Sequence, residues 1–131
     1  MNLKIYVDEK VKDKFQLQAI KEYDKRLTRY CKMKQVIFKD QEELSKISDR
    51  TYKIIVNITG KSISSEELAS KLEKLGVIGK SDIAFILSDD FQGDDHICLS
   101  SMSMSTGMSL TVLYEQIYRA FRIQKNEPYH K

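Results

Sequence analysis

Cysteine and histidine are scarce, with two of each in 131 residues. Cys31 and Cys98 lie far apart and form no CxxC or Cys/His spacing, so neither a metal nor a redox motif is indicated, and both read as packed thiols. His96 and His130 are too few to build a structural zinc site unaided. No apolar run is long enough to cross a bilayer, and the opening Met1-Asn-Leu-Lys-Ile-Tyr-Val7 lacks the charged, apolar and cleavage regions of a secretory signal. A soluble, cytoplasmic protein with no membrane partner is expected. Internal repeats are lacking too, and the only biased stretch is the Ser/Met run from Ser100 to Ser109. A chain of this length is expected to form one core, hence a single domain over residues 1–131.

Charge is present in both signs and unevenly placed. Residues 1–40 carry eleven Lys/Arg against six Asp/Glu, residues 41–100 seven against eleven, and residues 101–131 four against two. Basic ends around an acidic middle permit a phosphate-binding surface. Solvated helix faces explain the pattern equally well.

Hydrophobic periodicity divides the chain into alternating strands and helices. Leu3 to Val7 alternates as a strand does. From Lys12 to Tyr30 the period lengthens, and Phe15, Ala19, Ile20, Tyr23, Leu27 and Tyr30 are expected on one buried helix face, with Lys21, Lys25, Arg26 and Arg29 on the remainder. Met33 to Phe38 reads as a second strand, and Asp40 to Arg50 as a loop or short helix. The β-branched run Tyr52 to Ile58 is the clearest strand, with Thr59-Gly60 expected to end it. Ser64 and Glu67 have capping-box spacing before a helix whose buried stripe is Leu68, Leu72 and Leu75, with Gly76 as its expected left-handed cap. Ile83 to Leu87 reads as a strand covered on both faces, and His96 to Met102 as another. The last helix, Ser109 to Lys125, is apolar over more than half its circumference at Leu110, Leu113, Tyr114, Ile117, Tyr118 and Phe121, which predicts more than one packing partner. The alternation predicts an α/β fold: a mostly parallel sheet with helices on both faces. Ligands bind such sheets beyond the carboxyl ends of the strands, so the loops at 57–63, 88–95 and 103–109 are the ones to watch.

Four segments then carry a resemblance. Leu3-Lys-Ile-Tyr-Val7 with Tyr23-Asp-Lys-Arg-Leu-Thr-Arg-Tyr30, Gly60-Lys-Ser-Ile-Ser-Ser-Glu-Glu-Leu-Ala69, Ser81-Asp-Ile-Ala-Phe-Ile-Leu87, and Glu115-Gln-Ile-Tyr-Arg-Ala-Phe-Arg-Ile123 with Tyr129-His-Lys131 together resemble the ribosomal RNA large subunit methyltransferase H family, nearly end to end. The resemblance implies a SPOUT-type fold with a C-terminal trefoil knot and a homodimer. It implies S-adenosyl-L-methionine (SAM) as cofactor, and ribosomal RNA or the ribosome, rather than DNA, as partner. The implied reaction is methylation at N3 of a pseudouridine in large-subunit RNA. It places the cofactor against Val56, Ser88, Asp89, Leu99, Ser100, Met102 and Met104, and the target nucleotide near Arg119, Tyr129 and His130. Lys61 is implied near the cofactor or an RNA phosphate; Glu115 and Gln116 are expected to cap or bridge within the dimer.

The sequence departs from the family pattern where the cofactor binds. The family's glycine pair aligns with Ser88-Asp89, and Gly93 is displaced from that place. In the later Ser-x-Met-Thr-x-Pro-His loop, Ser100, Met102 and Ser103 align, but proline and histidine correspond to Ser105 and Thr106, and a following arginine to Leu110. The chain reads as a shortened member, with deletions between Phe38 and Tyr52 and around Asp94 to His96. Two neighbouring acids, Asp89 and Asp90, either favour the cofactor's cationic groups or repel its carboxylate. A non-catalytic dimer that binds RNA, ribosome or protein is the alternative reading.

Overall fold

The computed structural model describes residues 1–130, so Lys131 lies outside the described residues. Five strands, β1 (Asn2–Val7), β2 (Lys32–Ile37), β3 (Tyr52–Ser62), β4 (Asp82–Leu87) and β5 (Asp95–Cys98), form one sheet in the order β2-β1-β4-β3-β5. Every pairing is parallel. Parallel neighbours need crossovers, and these are supplied by α1 (Lys14–Leu27), α2 (Gln41–Ser45), and α3 (Ser65–Val77), with α4 (Thr106–Gln124) closing the chain.

Side-chain alternation sorts the strands into two faces. Ile5, Phe85 and Ile54 stand side by side on one face, where they join Leu68, Leu72, Leu113 and Ile117 in the main core. Val36, Tyr6, Ile86, Ile55 and His96 form the corresponding row on the other. That second face carries a smaller core of Phe38, Leu44, Ile55, Ala84 and Ile86, packed by Ile47 and Phe91. Helices therefore occur on both faces, as the alternation predicts, but unequally: α1, α3 and α4 contribute to the main core, and five-residue α2 to the other.

Local signals explain the element ends. Asp13 caps α1 by accepting from the Gln16 N–H at 2.9 Å, and Asp40 caps α2 by accepting from Glu43 at 3.0 Å. The Ser64/Glu67 capping box is complete in both directions. Ser105 caps α4, so this helix starts at Thr106, earlier than its apolar period reveals.

Three expectations need correction. Phe15 is 74% exposed; five residues separate it from buried Ile20, which at 3.6 residues per turn turns it about 140° away. Gly76 stays within α3, and Gly79, at φ +85°, takes the left-handed position. Thr59-Gly60 does not end β3; the strand runs on to Ser62 after its register shifts between Val56 and Lys61. A Cβ on Gly60 would lie 2.3–2.8 Å from Ile97 backbone atoms, so glycine is required there by close approach.

The apolar girth of α4 also finds its explanation within the chain. Leu110, Leu113, Tyr114, Ile117, Tyr118 and Phe121 are all buried, because α4 packs on both α1 and α3.

Candidate cofactor cleft and C-terminal cluster

Since all five strands run the same way, their carboxyl ends share one edge, and a 560 Å³ cleft opens there. That is a size suited to a small organic ligand. The cleft is lined by Val56, Ser88, Asp89, Leu99, Ser100, Met102 and Met104, the seven positions singled out for the cofactor. Phe38, Ile58 and Leu87 add apolar surface, and Thr106 brings the start of α4 to its edge. The 100–105 segment has no regular secondary structure. Its Ser100 hydroxyl accepts from the Met102 N–H at 3.0 Å, which gives the turn a local brace.

Asp8, Lys39, Asp40 and Gln41, which the sequence reading did not place at the site, also line the cleft. They follow β1 and β2 directly, so the rule that ligands meet strand ends could have found them. With Asp89 and Asp90 they give the rim four carboxylates against one lysine, an electrostatic bias toward a cation. The aligned peptide dipoles of α4 place partial positive charge at its N-terminal end. Gly93 has a different role: a Cβ there would lie 2.8 Å from the Lys53 carbonyl oxygen. It lets the β4–β5 loop close onto β3. Lys61 lines a separate surface groove beside α3 with Lys71 and Lys74, not this cleft.

Arg119, Tyr129 and His130 do not line the cleft, but the structure brings all three together around Glu115. Arg119 donates to Glu115 through Nε and Nη2, at 3.2 and 3.0 Å. Tyr129 donates to the same carboxylate at 3.2 Å, and the Arg119 guanidinium lies 4.8 Å from the Tyr129 ring centroid. Arg119 Nη1 approaches His130 Nδ1 at 3.0 Å. Arginine can only donate, so Nδ1 accepts, and Nε2 carries the proton directed at Glu66. Ser65 donates to Gln116 at 2.5 Å. Glu115 and Gln116 thus bridge α4 to the tail and to α3.

Burial, a hydrogen bond with Tyr23 and the charge of Glu115 push the Tyr129 phenol well above its ordinary range. It is a neutral hydroxyl at physiological pH. The bond to Glu115 raises Arg119 further into its cationic state. The part that Tyr23, Ser65 and Glu66 take in this cluster has no signal in the sequence, because it comes from packing across elements. The tail is docked nearby: Tyr30 and Arg122 donate to Glu127 at 2.7 and 3.0 Å, and Arg122 donates to the Pro128 carbonyl at 2.8 Å.

An all-parallel sheet with a ligand-sized cleft at its carboxyl edge is the arrangement in which open α/β folds hold their ligands. The family described as "Predicted SPOUT methyltransferase" matches residues 1–130. The chain is 43% identical to Ribosomal RNA large subunit methyltransferase H 1 of Thermoanaerobacter sp. (strain X514), over 133 aligned positions covering all of both chains. It is 35% identical to the protein of that name from Clostridium perfringens (strain SM101 / Type A) and 39% identical to Ribosomal RNA large subunit methyltransferase H of Exiguobacterium sp. (strain ATCC BAA-1283 / AT1b). Both comparisons extend over 159 positions and cover each chain fully. The chain belongs to the ribosomal RNA large subunit methyltransferase H family of SPOUT methyltransferases. Its shortness is relative: it is compact beside the latter two, yet matches the Thermoanaerobacter protein with almost no length difference.

Proposed function

We propose that the chain is a SAM-dependent methyltransferase acting on large-subunit ribosomal RNA, at N3 of a pseudouridine. The observation that carries this reading is one ligand-sized cleft lined by Val56 of β3, Ser88 and Asp89 of the β4–β5 loop, and Leu99, Ser100, Met102 and Met104 of the β5–α4 segment. The residues fit the cofactor: apolar side chains offer surface for an adenine, and the acidic rim suits a sulfonium and an ammonium. When bound, the cofactor supplies an electrophilic methyl group.

An imide nitrogen must lose its proton to accept that methyl group, and the developing charge needs a counterpart. Arg119 is placed to provide the positive charge, with Glu115 holding the guanidinium in a fixed orientation. Tyr129, kept neutral, serves as a hydrogen-bond donor and stacking surface. His130 is the base in this reading; taking a proton at Nδ1 requires it to release Arg119, a movement that substrate contact would trigger.

The protein acts as a homodimer, one domain per chain, in the cytoplasm, with the knotted threading of its family. Support for the second copy comes from incomplete joining of the site. Arg119 lies thirteen residues along α4 from Thr106 at the cleft, about 20 Å at 1.5 Å per residue. Exposed Phe15 and Met108 sit near the starts of α1 and α4, which touch where Gln16 meets Gly107, leaving an apolar patch that another copy would cover. Calorimetric titration of the purified protein with SAM, alone and with large ribosomal subunits, tests the reading. Micromolar binding together with methyl transfer is expected. Failure to bind under either condition would sink the enzyme and favour a non-catalytic RNA-binding dimer.

A further inference from the structure

We propose that His96 is a positioning residue for the cofactor cleft: acting through Asn57, it fixes the Ser88 carbonyl and so sets the loop that forms one wall. The inference rests on the cofactor reading above. It concerns a residue that does not itself line the cleft.

The parallel register sets His96 beside Ile55 on the second face of the sheet, and its ring reaches Asn57 further along β3. There β3 leaves its regular ladder, and Gly60, pressed on the Ile97 backbone, pins the irregular turn. Asn57 lies within it. Its Oδ1 accepts from the Thr59 N–H at 3.0 Å, from the Thr59 hydroxyl at 2.8 Å, and from His96 Nε2 at 2.5 Å. A backbone N–H is an unalterable donor, so the amide can face only one way. Its Nδ2 is thereby aimed at the Ser88 carbonyl, to which it donates at 2.7 Å.

The far end of the same loop is held by other means. Phe91 packs into the second core, Gly93 fits against Lys53, and Asp94 exchanges two 2.8 Å hydrogen bonds with the Lys53 backbone. Ser88, Asp89 and Asp90, which line the cleft, stand between that anchor and Asn57. At the near end the Ser88 hydroxyl also accepts from the Gln41 amide at 3.4 Å and from the Asp90 N–H at 3.3 Å. This chain has Ser88-Asp89 where its resemblance leads one to expect two glycines, and the Asn57 amide, turned by the Thr59 N–H and braced from β5 by His96, provides a restraint.

His96→Ala removes the donor from β5 while leaving cleft-lining side chains in place. Two measurements decide the matter. Hydrogen exchange without ligand should rise about tenfold at the Asp90 amide, which donates to the Ser88 hydroxyl, and nowhere in α3 or α4, as expected for loss of about one hydrogen bond. The SAM dissociation constant should weaken about fivefold, with KM for ribosomal subunits unchanged. His96→Gln, whose amide can donate to the same Oδ1, should return both values to within about twofold of wild type. Unchanged loop exchange in His96→Ala overturns the proposal, as does a glutamine variant no better than alanine or a loss of protection spread evenly over the sheet. If wild-type protein binds no SAM, the functional reading fails, and the exchange result still decides whether His96 holds the loop.

Discussion

Gly60 shows how a single residue can be wrongly read for the right reason. A threonine-glycine pair ordinarily ends a strand, but here glycine is needed because the Ile97 backbone occupies the space of a Cβ. Sequence spacing cannot reveal this, since the neighbour comes from a strand 37 residues later. Gly60→Ala should destabilise the fold by about 2 kcal/mol, typical of overpacking against backbone that cannot yield, measured by urea unfolding. The acids at 89 and 90 make a second prediction. On an exposed rim they act by charge rather than shape, and salt screens them. Asp89→Asn with Asp90→Asn should narrow the preference for SAM over its uncharged-sulfur product by a few-fold at low ionic strength. Equal discrimination in wild type and variant, measured by calorimetry at 20–50 mM salt, would remove these carboxylates from cofactor selection. At the C-terminus, Glu115→Ala should lower kcat on the order of 10²-fold while leaving SAM affinity intact, because Glu115 orients Arg119 and Tyr129 and does not line the cleft.

Elements were legible where periodicity and caps agreed. The Ser64/Glu67 box and the Leu68, Leu72, Leu75 stripe mark α3 in sequence and are found as expected. The start of α4 was harder to see, since the Ser/Met run offers several caps, of which Ser105 is the one used. The docked tail after α4 was invisible to composition alone, because Tyr30 meets Arg122 and Glu127 from a segment at least 92 residues away. Its stability should depend on acid. The hydrogen bond from Tyr30, with Arg122 and Arg29 nearby, holds the Glu127 carboxyl below its ordinary value of 4.5. A depressed native pKa stabilises the native state above the unfolded value, and the contribution is lost as pH falls through the native one. Near-UV tyrosine dichroism, reporting the Tyr23, Tyr30, Tyr118 and Tyr129 cluster, should therefore decline below about pH 4.5 before the far-UV helical signal does. Glu127→Gln should show a weakened signal at neutral pH and lack this step.

At the scale of the whole molecule, alternating strands and helices were enough to anticipate a parallel sheet, and the carboxyl-edge rule was enough to place the cleft. What one chain does not supply is a junction between the cleft and the Arg119 cluster, which lie at opposite portions of α4. If two copies related by a two-fold axis build each site, the cleft of one must work with Arg119 of the other. A mixing experiment separates this from catalysis within one chain. One parent carries Arg119→Ala; the other carries Ser100→Trp to fill its cleft. In a mixed dimer, one site then combines both defects and the other combines two intact halves. Random assortment makes half of the dimers mixed, each with one working site of two, so co-refolding the inactive parents in equal amounts should restore about a quarter of wild-type activity. Sites contained within single chains would restore none, since every chain would carry one of the two lesions.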